Sequence, residues 1–420
     1  MLLSVDIDRG WAWLVAVASF LMHVLMYGVA WSTGIYNAIL LDYFHESAAT
    51  IAWAGSLTPA SMYAVGPLAG VLTNRFGCRL TILVGGAISS FGLMISFFAP
   101  NIYFLYFSFG IVTGIGLGIS FVPAVTCVAH YFEKYRNFAT GLAVSGVGVG
   151  TFLFPPLITI LSHKYTWRGS MLILGALTLN VCLCGTLVRP LPSPRQDFRR
   201  EKPAAFDLTV FKKAGYLLVC LNNILICFGL SIVYLHLTAF AEASGMSDQD
   251  GAMLISVIGI ANLVGRFVIG ALGSHPRLNV FLLYSLSFMI SGTAAAFFPV
   301  LHMSFPAMIV LSVMFGFFTA SFGALLPALL IEILGLDRLA SAYGYLLLFM
   351  AVGQMLGGPI AGFIYDKTGS YNSSFYVGGA VIVSSGIMIF FLSFRKRKPF
   401  ELPTRNIDAA DCDEKEPLPA

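Results

Sequence analysis

Twelve apolar runs, each about 20 residues long, recur along the chain, separated by short stretches that carry turn residues and charge. They fall at about 11–34, 51–73, 80–99, 102–127, 137–161, 169–189, 213–240, 251–273, 278–299, 303–334, 340–365 and 373–394. A run of that length crosses a hydrocarbon core of roughly 30 Å as an α-helix, the spanning element that satisfies its own backbone. The pattern predicts an all-α membrane protein of twelve transmembrane helices. The first run is not a cleavable signal peptide, being too long and lacking a basic leading region.

Internal repeats sharpen the picture. "GPLAGVLTNRFGCR" (66–79) closes the second run and opens the third, and "GPIAGFIYDKTGSY" (358–371) matches it position for position at the end of the eleventh. "PPLITILSHKYTWR" (155–168) keeps the spacing at the end of the fifth, and "RFVIGALGSHPRLN" (266–279) follows it more loosely at the end of the eighth. Runs two, five, eight and eleven thus share one exit motif, which makes four three-helix units. Nested repeats of this kind describe two pseudo-symmetric six-helix halves with a site near the midplane between them, the major facilitator fold. The expected divisions are an N-terminus (1–10), one half (11–189), a linker (190–212), a second half (213–394) and a tail (395–420).

Composition agrees with the class: 58% of the 420 residues are hydrophobic and 10% are charged. Lys and Arg set the orientation. Of 24, all but Lys164, Arg168, Lys367 and the intramembrane Arg266 fall on the side of the termini, so both termini are expected in the cytosol. The net charge of +4 therefore reflects topology, not nucleic-acid binding. The seven cysteines (78, 127, 182, 184, 220, 227 and 412) form no disulfide or zinc pattern. Six read as packing residues and Cys412 as a free thiol in a disordered tail whose "RKRK" start faces anionic headgroups. No helix-borne metal ligands, phosphate loop or catalytic triad occurs, and no cofactor or enzymatic activity is implied.

The chemistry lies in a few polar groups. "LISVIGIANLVGRFVIGALG" (254–273) holds one charge, Arg266. A permanent cation costs roughly 2.5–3.5 kcal/mol at the centre of a spanning helix, so it needs a partner. Asn262 lies one turn back and supplies no charge, while Glu332 stands near the cytoplasmic end of the tenth run. A substrate carboxylate, gripped through two hydrogen bonds, is one partner; Glu332 or backbone carbonyls, bracing the bundle, are the other. His23, Tyr27 and Trp31, spaced by four, form one stripe that either lines a cavity or packs. His23 is the candidate titratable group. Asn222, Asn223, Tyr234, His236 and Gln354 add polar groups at membrane depth. In the exit motif, Gly66, Gly70 and Gly77 should allow close helix approach and a tight turn. Arg75 and Arg79 should sit at the cytoplasmic surface as anchors or as partners for helix ends of the opposite half. Asp366, in the eleventh-run copy, joins this gating and structural group.

Several motifs together resemble the monocarboxylate transporter family of the major facilitator superfamily. They are "DRGWAWLVAV" (8–17), with Arg9 where that family usually has glycine, "YFEKYRNFATGLAVSGVGVG" (131–150), "YTWRGSMLILGALTLNVCLCGTLVRPL" (165–191) and "YDKTGSYNSSFYVGG" (365–379). The likeness covers about 8–395. It implies a plasma-membrane carrier of small monocarboxylates working by alternating access, with a proton as co-substrate. In that family transport depends on a lysine late in the first span and on an aspartate and an arginine one turn apart in the eighth. Here those positions hold Trp31, Asn262 and Arg266, so the arginine is kept and both coupling groups are replaced. A facilitative carrier of a zwitterionic carboxylate and a non-transporting receptor are the competing expectations. Some relatives need a single-span immunoglobulin-like chaperone, a partner the resemblance leaves open.

Overall fold

The computed structural model describes residues 7–132, 135–189, 208–273, 275, 277–335 and 338–393. The linker from 190 to 207 and the tail with Cys412 lie outside the described residues. Among the described residues the helices divide into twelve crossings. Span 1 is Trp11–Phe44, broken at Ser32, which separates Trp11–Trp31 from Thr33–Phe44. Span 2 (48–76) joins Ala48–Ala64 to the first part of Gly66–Ser96, and span 3 (78–96) is the remainder. Span 4 is Ile102–Tyr131. Span 5 (136–165) and span 6 (167–187) follow, then span 7 (Ala214–Ala243), span 8 (Asp248–Gly273), span 9 (Val280–Leu301), span 10 (Phe305–Leu334), span 11 (Leu339–Thr368) and span 12 (Asn372–Ser393). An even number of crossings returns the chain to the face it left. We call this the terminal face and the opposite one the distal face.

Several spans run longer than the apolar pattern predicts, spans 1 and 2 among them. Span 1 continues ten residues past 34 to Phe44, and span 2 starts at Ala48, capped by Ser47, whose hydroxyl accepts from Thr50 N at 3.1 Å. Hydrophobicity marks only the part of a helix inside hydrocarbon; caps and polar ends extend it.

Reversals of the exit motif share a backbone device. Its twelfth position has a left-handed φ in three copies: +81° at Gly77, +61° at Thr166 and +69° at Gly369. Gly77 and Gly369 adopt it without steric cost. Thr166 is β-branched and strained there.

In the N-terminal half, the "DRGWAW" stretch ties the terminal ends of its spans together. Trp11 Nε1 donates to Leu187 O at 2.9 Å, Arg189 lies 3.6 Å over the Trp11 ring, and Tyr135 N donates to the Asp8 carboxylate at 3.1 Å. On the distal face Arg168 donates to Tyr43 Oη (2.9 Å) and Ala99 O (3.0 Å). Arg168 thus links spans 1, 3 and 6. Large side chains such as Phe91, Phe98, Tyr103, Phe107 and Phe391 stand on the outer surface, where a bilayer accepts them.

The halves meet along three pairs of spans: 2 with 11, 5 with 8, and 1 with 7. Without a hydrophobic drive inside lipid, small residues make such contacts. A Cβ on Gly34 would lie 2.2 Å from Tyr234 O, one on Gly362 2.6 Å from the Ala48 backbone, and one on Gly259 2.6 Å from Phe152 N. These crossings all lie in the distal part or the middle of the interface. On the terminal side Gly66 meets Leu347 of span 11, whereas Gly70, Gly141 and Gly344 have nothing within 4 Å of a Cβ. Among the described residues the halves are in close contact on the distal side and further apart at these terminal-side glycines.

Candidate functional site

Span 8 places Arg266 at the interface between the halves. Its Nε donates to Asn262 Oδ1 at 2.9 Å, and Asn262 Nδ2 donates to Gly316 O (3.2 Å) and Thr319 Oγ1 (3.4 Å) of span 10. The asparagine is thus fixed by span 10 and in turn orients the guanidinium plane. Arg266 can stand against span 10 because position 323 is glycine: a Cβ there would lie 2.9 Å from Nη1 and 3.1 Å from Cζ. Neither Nη makes a hydrogen bond among the described residues. The side chain keeps partial exposure deep in the protein, so the fork faces an accessible space.

Four phenols interact electrostatically with Arg266. They are Tyr27 of span 1, Tyr63 of span 2, Tyr234 of span 7 and Tyr343 of span 11, so both halves contribute two. Tyr27 and Tyr63 also interact electrostatically with each other. Glu332 is not among these groups. It is exposed, on the same helix as Gly323 but nine residues further on, about 13 Å along the axis. The expected alternative of an Arg266–Glu332 pair is not what the fold builds.

The span 1 stripe lines up beside this cluster. His23, Tyr27 and Trp31 are all buried, with successive ring centroids 6.3 and 6.5 Å apart. Phe121 of span 4 packs edge-on against His23 and Tyr27. Trp31 reaches across the interface to Tyr234, centroid to centroid 4.5 Å, and Tyr234 meets Phe315 at 6.1 Å. His23 Nδ1 donates to Ser19 O at 2.7 Å, which leaves Nε2 as an acceptor without a protein partner. Electrostatically it too faces Arg266. A proton on Nε2 would therefore put a second cation beside the arginine, with no carboxylate in the cluster to offset it.

Three other polar groups named from the sequence make one hydrogen bond each to backbone and keep a second buried side-chain atom without a partner among the described residues. Asn222 Nδ2 donates to Ser385 O (2.8 Å), Asn223 Nδ2 to Val219 O (2.7 Å), and His236 Nε2 to Gly358 O (2.9 Å). Cys127, Cys184, Cys220 and Cys227 are buried, and Cys78 and Cys182 partly so.

In the exit motif Gly66 makes its close approach and Gly77 its turn, but Gly70 meets nothing. Arg75 and Arg79 are exposed on the open terminal side, and neither makes a hydrogen bond or ion pair among the described residues. Asp366 is engaged: its two oxygens accept from Ala48 N (2.7 Å) and Ala49 N (3.0 Å), which start span 2 of the other half. His163, at the same motif position in span 5, lies 2.5 Å from Asp248, the first residue of span 8. Sequence reasoning missed Tyr63, Tyr343, Gly323 and the His163–Asp248 contact. Only the repeated spacing, which puts His163 in register with Asp366, hinted at the last.

A model of the major facilitator superfamily matches residues 19–301 and 219–410. Among solved structures, the chain is similar to a mutant of the nucleoside transporter NupG, with a TM-score of 0.70 at 16% identity over 92% of this chain and 100% of that one. It is also similar to a bacterial homologue of the human lysosomal transporter Spinster (TM-score 0.67, 18% identity, 92% and 96% of the two chains). These likenesses show the fold. Nearer relatives in sequence include monocarboxylate transporter 13 of Rattus norvegicus, 33% identical over 98% of this chain and 96% of that protein. Others are monocarboxylate transporter 12 of Xenopus laevis (30%, 91% and 88%) and monocarboxylate transporter 4 of Gallus gallus (31%, 96% and 87%). With this similarity running through both halves and their repeated motifs, the chain is a multi-pass membrane protein that belongs to the monocarboxylate transporter family of the major facilitator superfamily.

Proposed function

We propose that the protein carries a small carboxylate-bearing solute across the plasma membrane by alternating access, with Arg266 as the carboxylate clamp. The observation that carries this reading is the Arg266 fork, held from behind by Asn262 and surrounded by phenols of both halves, with no acidic group in the cluster. A planar guanidinium with two unengaged Nη groups binds a carboxylate through parallel, charge-assisted hydrogen bonds. The solute supplies the charge that the bundle withholds.

Polar groups sealed in the distal interface support the alternating cycle. Ser32, Asn37, Ser56, Thr238 and Gln354 bury side-chain atoms that have no hydrogen-bond partner in the protein. Each such atom costs about 1–3 kcal/mol when desolvated. They make sense as walls of the path in the opposite state, wetted when the distal side opens. With the terminal face in the cytosol, as the Lys and Arg distribution favours, the closed distal side makes this an inward-facing conformation.

The ring stack favours a second substrate reading. Tyr27, Trp31 and Tyr234 offer aromatic faces beside the carboxylate clamp, with no acid to neutralise a substrate cation. A zwitterion fits, its carboxylate on Arg266 and its cationic group over a ring. Trp31 and Asn262 stand where the resembled family couples a proton, so transport of such a solute is expected to be uncoupled. Purified protein in liposomes, offered labelled lactate, an aromatic amino acid, carnitine or creatine, tests both readings. Saturable uptake of one of them that Arg266→Ala abolishes supports the clamp; uptake unchanged by that substitution refutes it.

A further inference from the structure

Span 1 breaks at Ser32, and Trp31 is the last residue before the break. Its ring crosses the interface to Tyr234 of span 7, centroid to centroid 4.5 Å with the planes 39° apart. Both residues are nearly sealed, at 8% and 7% exposure. Their depth follows from the helical rise. Trp31 stands thirteen residues from the distal end of span 1 and Tyr234 nine from that of span 7, about 20 and 14 Å down. Asn262 stands fourteen residues from the distal end of span 8, about 21 Å down. Arg266 leans toward that level, because helical side chains tilt toward the N-terminus of their helix, which in span 8 is the distal end. Its Nε donates back to Asn262 in keeping with that tilt. The guanidinium fork and Trp31 thus share one depth, and Tyr234, which interacts electrostatically with Arg266, lies just distal to them.

The ring pair is held from behind. Gly34 brings the backbone of span 1 against Tyr234 O with no room for a Cβ, and Gly55 of span 2 does the same against the Leu235 side chain. Phe315 of span 10 packs edge-on against Tyr234 at 6.1 Å, and Tyr27 stacks on Trp31 at 6.5 Å. Rings packed on several sides do not retreat toward the distal face without parting the halves.

We infer that the Trp31–Tyr234 pair is the size filter of the carrier: it roofs the space at the Arg266 fork, admits a short carboxylate and excludes one that bears an aromatic ring. With the carboxylate fixed on the fork, the body of the solute must end before the rings. A bulkier body forces packed side chains off their rotamers, the cost that overpacking carries in any core. Each half supplies one ring, so the filter assembles as the distal side closes over the solute. The inference rests on the carrier reading and narrows its solute to short carboxylates.

Initial uptake by full-length protein in liposomes tests it with two pairs of labelled probes, lactate with phenyllactate and alanine with phenylalanine. Each pair shares its carboxylate and its hydroxyl or ammonium group and differs by one phenyl ring. In the pair that the carrier accepts, the small member should enter about 10- to 100-fold faster at equal concentration. Trp31→Ala should raise uptake of the phenyl member about tenfold and hold the small member within about threefold. Tyr234→Ala, from the other half, should act in the same direction, and Trp31→Phe more weakly. A gain for the larger solute is not what a loosened or misfolded protein produces. Phenyl members entering the wild type as fast as their small partners, or a ratio unmoved in both Trp31→Ala and Tyr234→Ala, overturns the filter. Arg266→Ala separates this from the clamp: it should abolish uptake of every member, and uptake that persists there overturns the clamp whatever the size ratio. Uptake of no member of either pair overturns both.

Discussion

Arg266 Nε donates to Asn262 Oδ1 across one turn of span 8, at 2.9 Å. The bond consumes the one guanidinium nitrogen that cannot take part in an end-on fork and leaves both Nη groups toward the space between the halves. Replacing Arg266 with lysine keeps the charge and discards the fork. Losing one charge-assisted hydrogen bond of about 1.5–3 kcal/mol should lower uptake of the substrate roughly 10- to 100-fold at normal surface abundance. Initial-rate uptake normalised to surface protein measures it, and unchanged uptake would return Arg266 to a bracing role.

Gly323 sets how close the arginine lies to span 10. A Cβ there meets Nη1 at 2.9 Å and Cζ at 3.1 Å, so Gly323→Ala pushes the head group aside without touching the backbone. Misplacing the clamp should raise KM several-fold while the maximal rate and surface abundance hold. Gly323→Val should be worse in the same direction. A fall in maximal rate with KM unchanged would show that position 323 acts on the conformational cycle and not on binding.

Coupling follows from what the cluster contains. It holds one cation, four phenols and a histidine whose Nδ1 is committed to Ser19 O, and no carboxylate. Wild-type protein in liposomes should equilibrate its substrate down either gradient. An imposed proton gradient should drive no accumulation. Trp31→Lys with Asn262→Asp restores the charges that the resembled family uses and should add proton-driven accumulation, at the cost of the Trp31–Tyr234 ring contact. Several-fold accumulation by wild-type protein, abolished by a protonophore, would refute the uncoupled reading.

The spans were legible because crossing a bilayer demands about 20 apolar residues, and the halves because the exit motif recurs at fixed spacing. Arg266, Asn262 and the stripe of His23, Tyr27 and Trp31 were legible as intramembrane polar groups at helical spacing. Tyr63 and Tyr343 were not. Each is one tyrosine among 17, and they meet Arg266 only because spans 2 and 11 cross at the interface. Nor could Glu332 be dismissed from sequence, since its distance from Arg266 depends on which turn of span 10 faces span 8. The His163–Asp248 contact joins residues 85 apart, which pair only in a conformation closed on the distal side.

Asp366 should hold that closure. Its carboxylate accepts from two backbone N–H groups at the start of span 2, a charged cap supplied by the other half. Removing a cap costs about 0.5–2 kcal/mol. Ile35→Cys reports opening to an impermeant methanethiosulfonate, because Ile35 is 3% exposed in the closed state. Asp366→Ala should therefore speed distal labelling of Ile35→Cys by about 2- to 30-fold, and Asp366→Asn, which keeps one acceptor oxygen, by less. Equal labelling in all three proteins would show that the cap serves span 2 alone.

The last prediction compares two glycines at the same motif position. A Cβ on Gly362 would sit 2.6 Å from the Ala48 backbone, whereas one on Gly70 meets nothing within 4 Å. Gly362→Ala must therefore wedge the distal side open, because backbone cannot yield as a side-chain tip does. Gly70→Ala costs nothing in this conformation and acts only when the terminal side closes and span 2 approaches its partner there. Both substitutions should slow transport, for opposite reasons: labelling of Ile35→Cys from the distal face should rise in Gly362→Ala and fall in Gly70→Ala. Thermal stability separates them too. Gly362→Ala should melt earlier than wild type, and Gly70→Ala should not. If Gly70→Ala transports normally and leaves labelling unchanged, the terminal end of span 2 does not close against the other half, and the cycle needs a different inner gate.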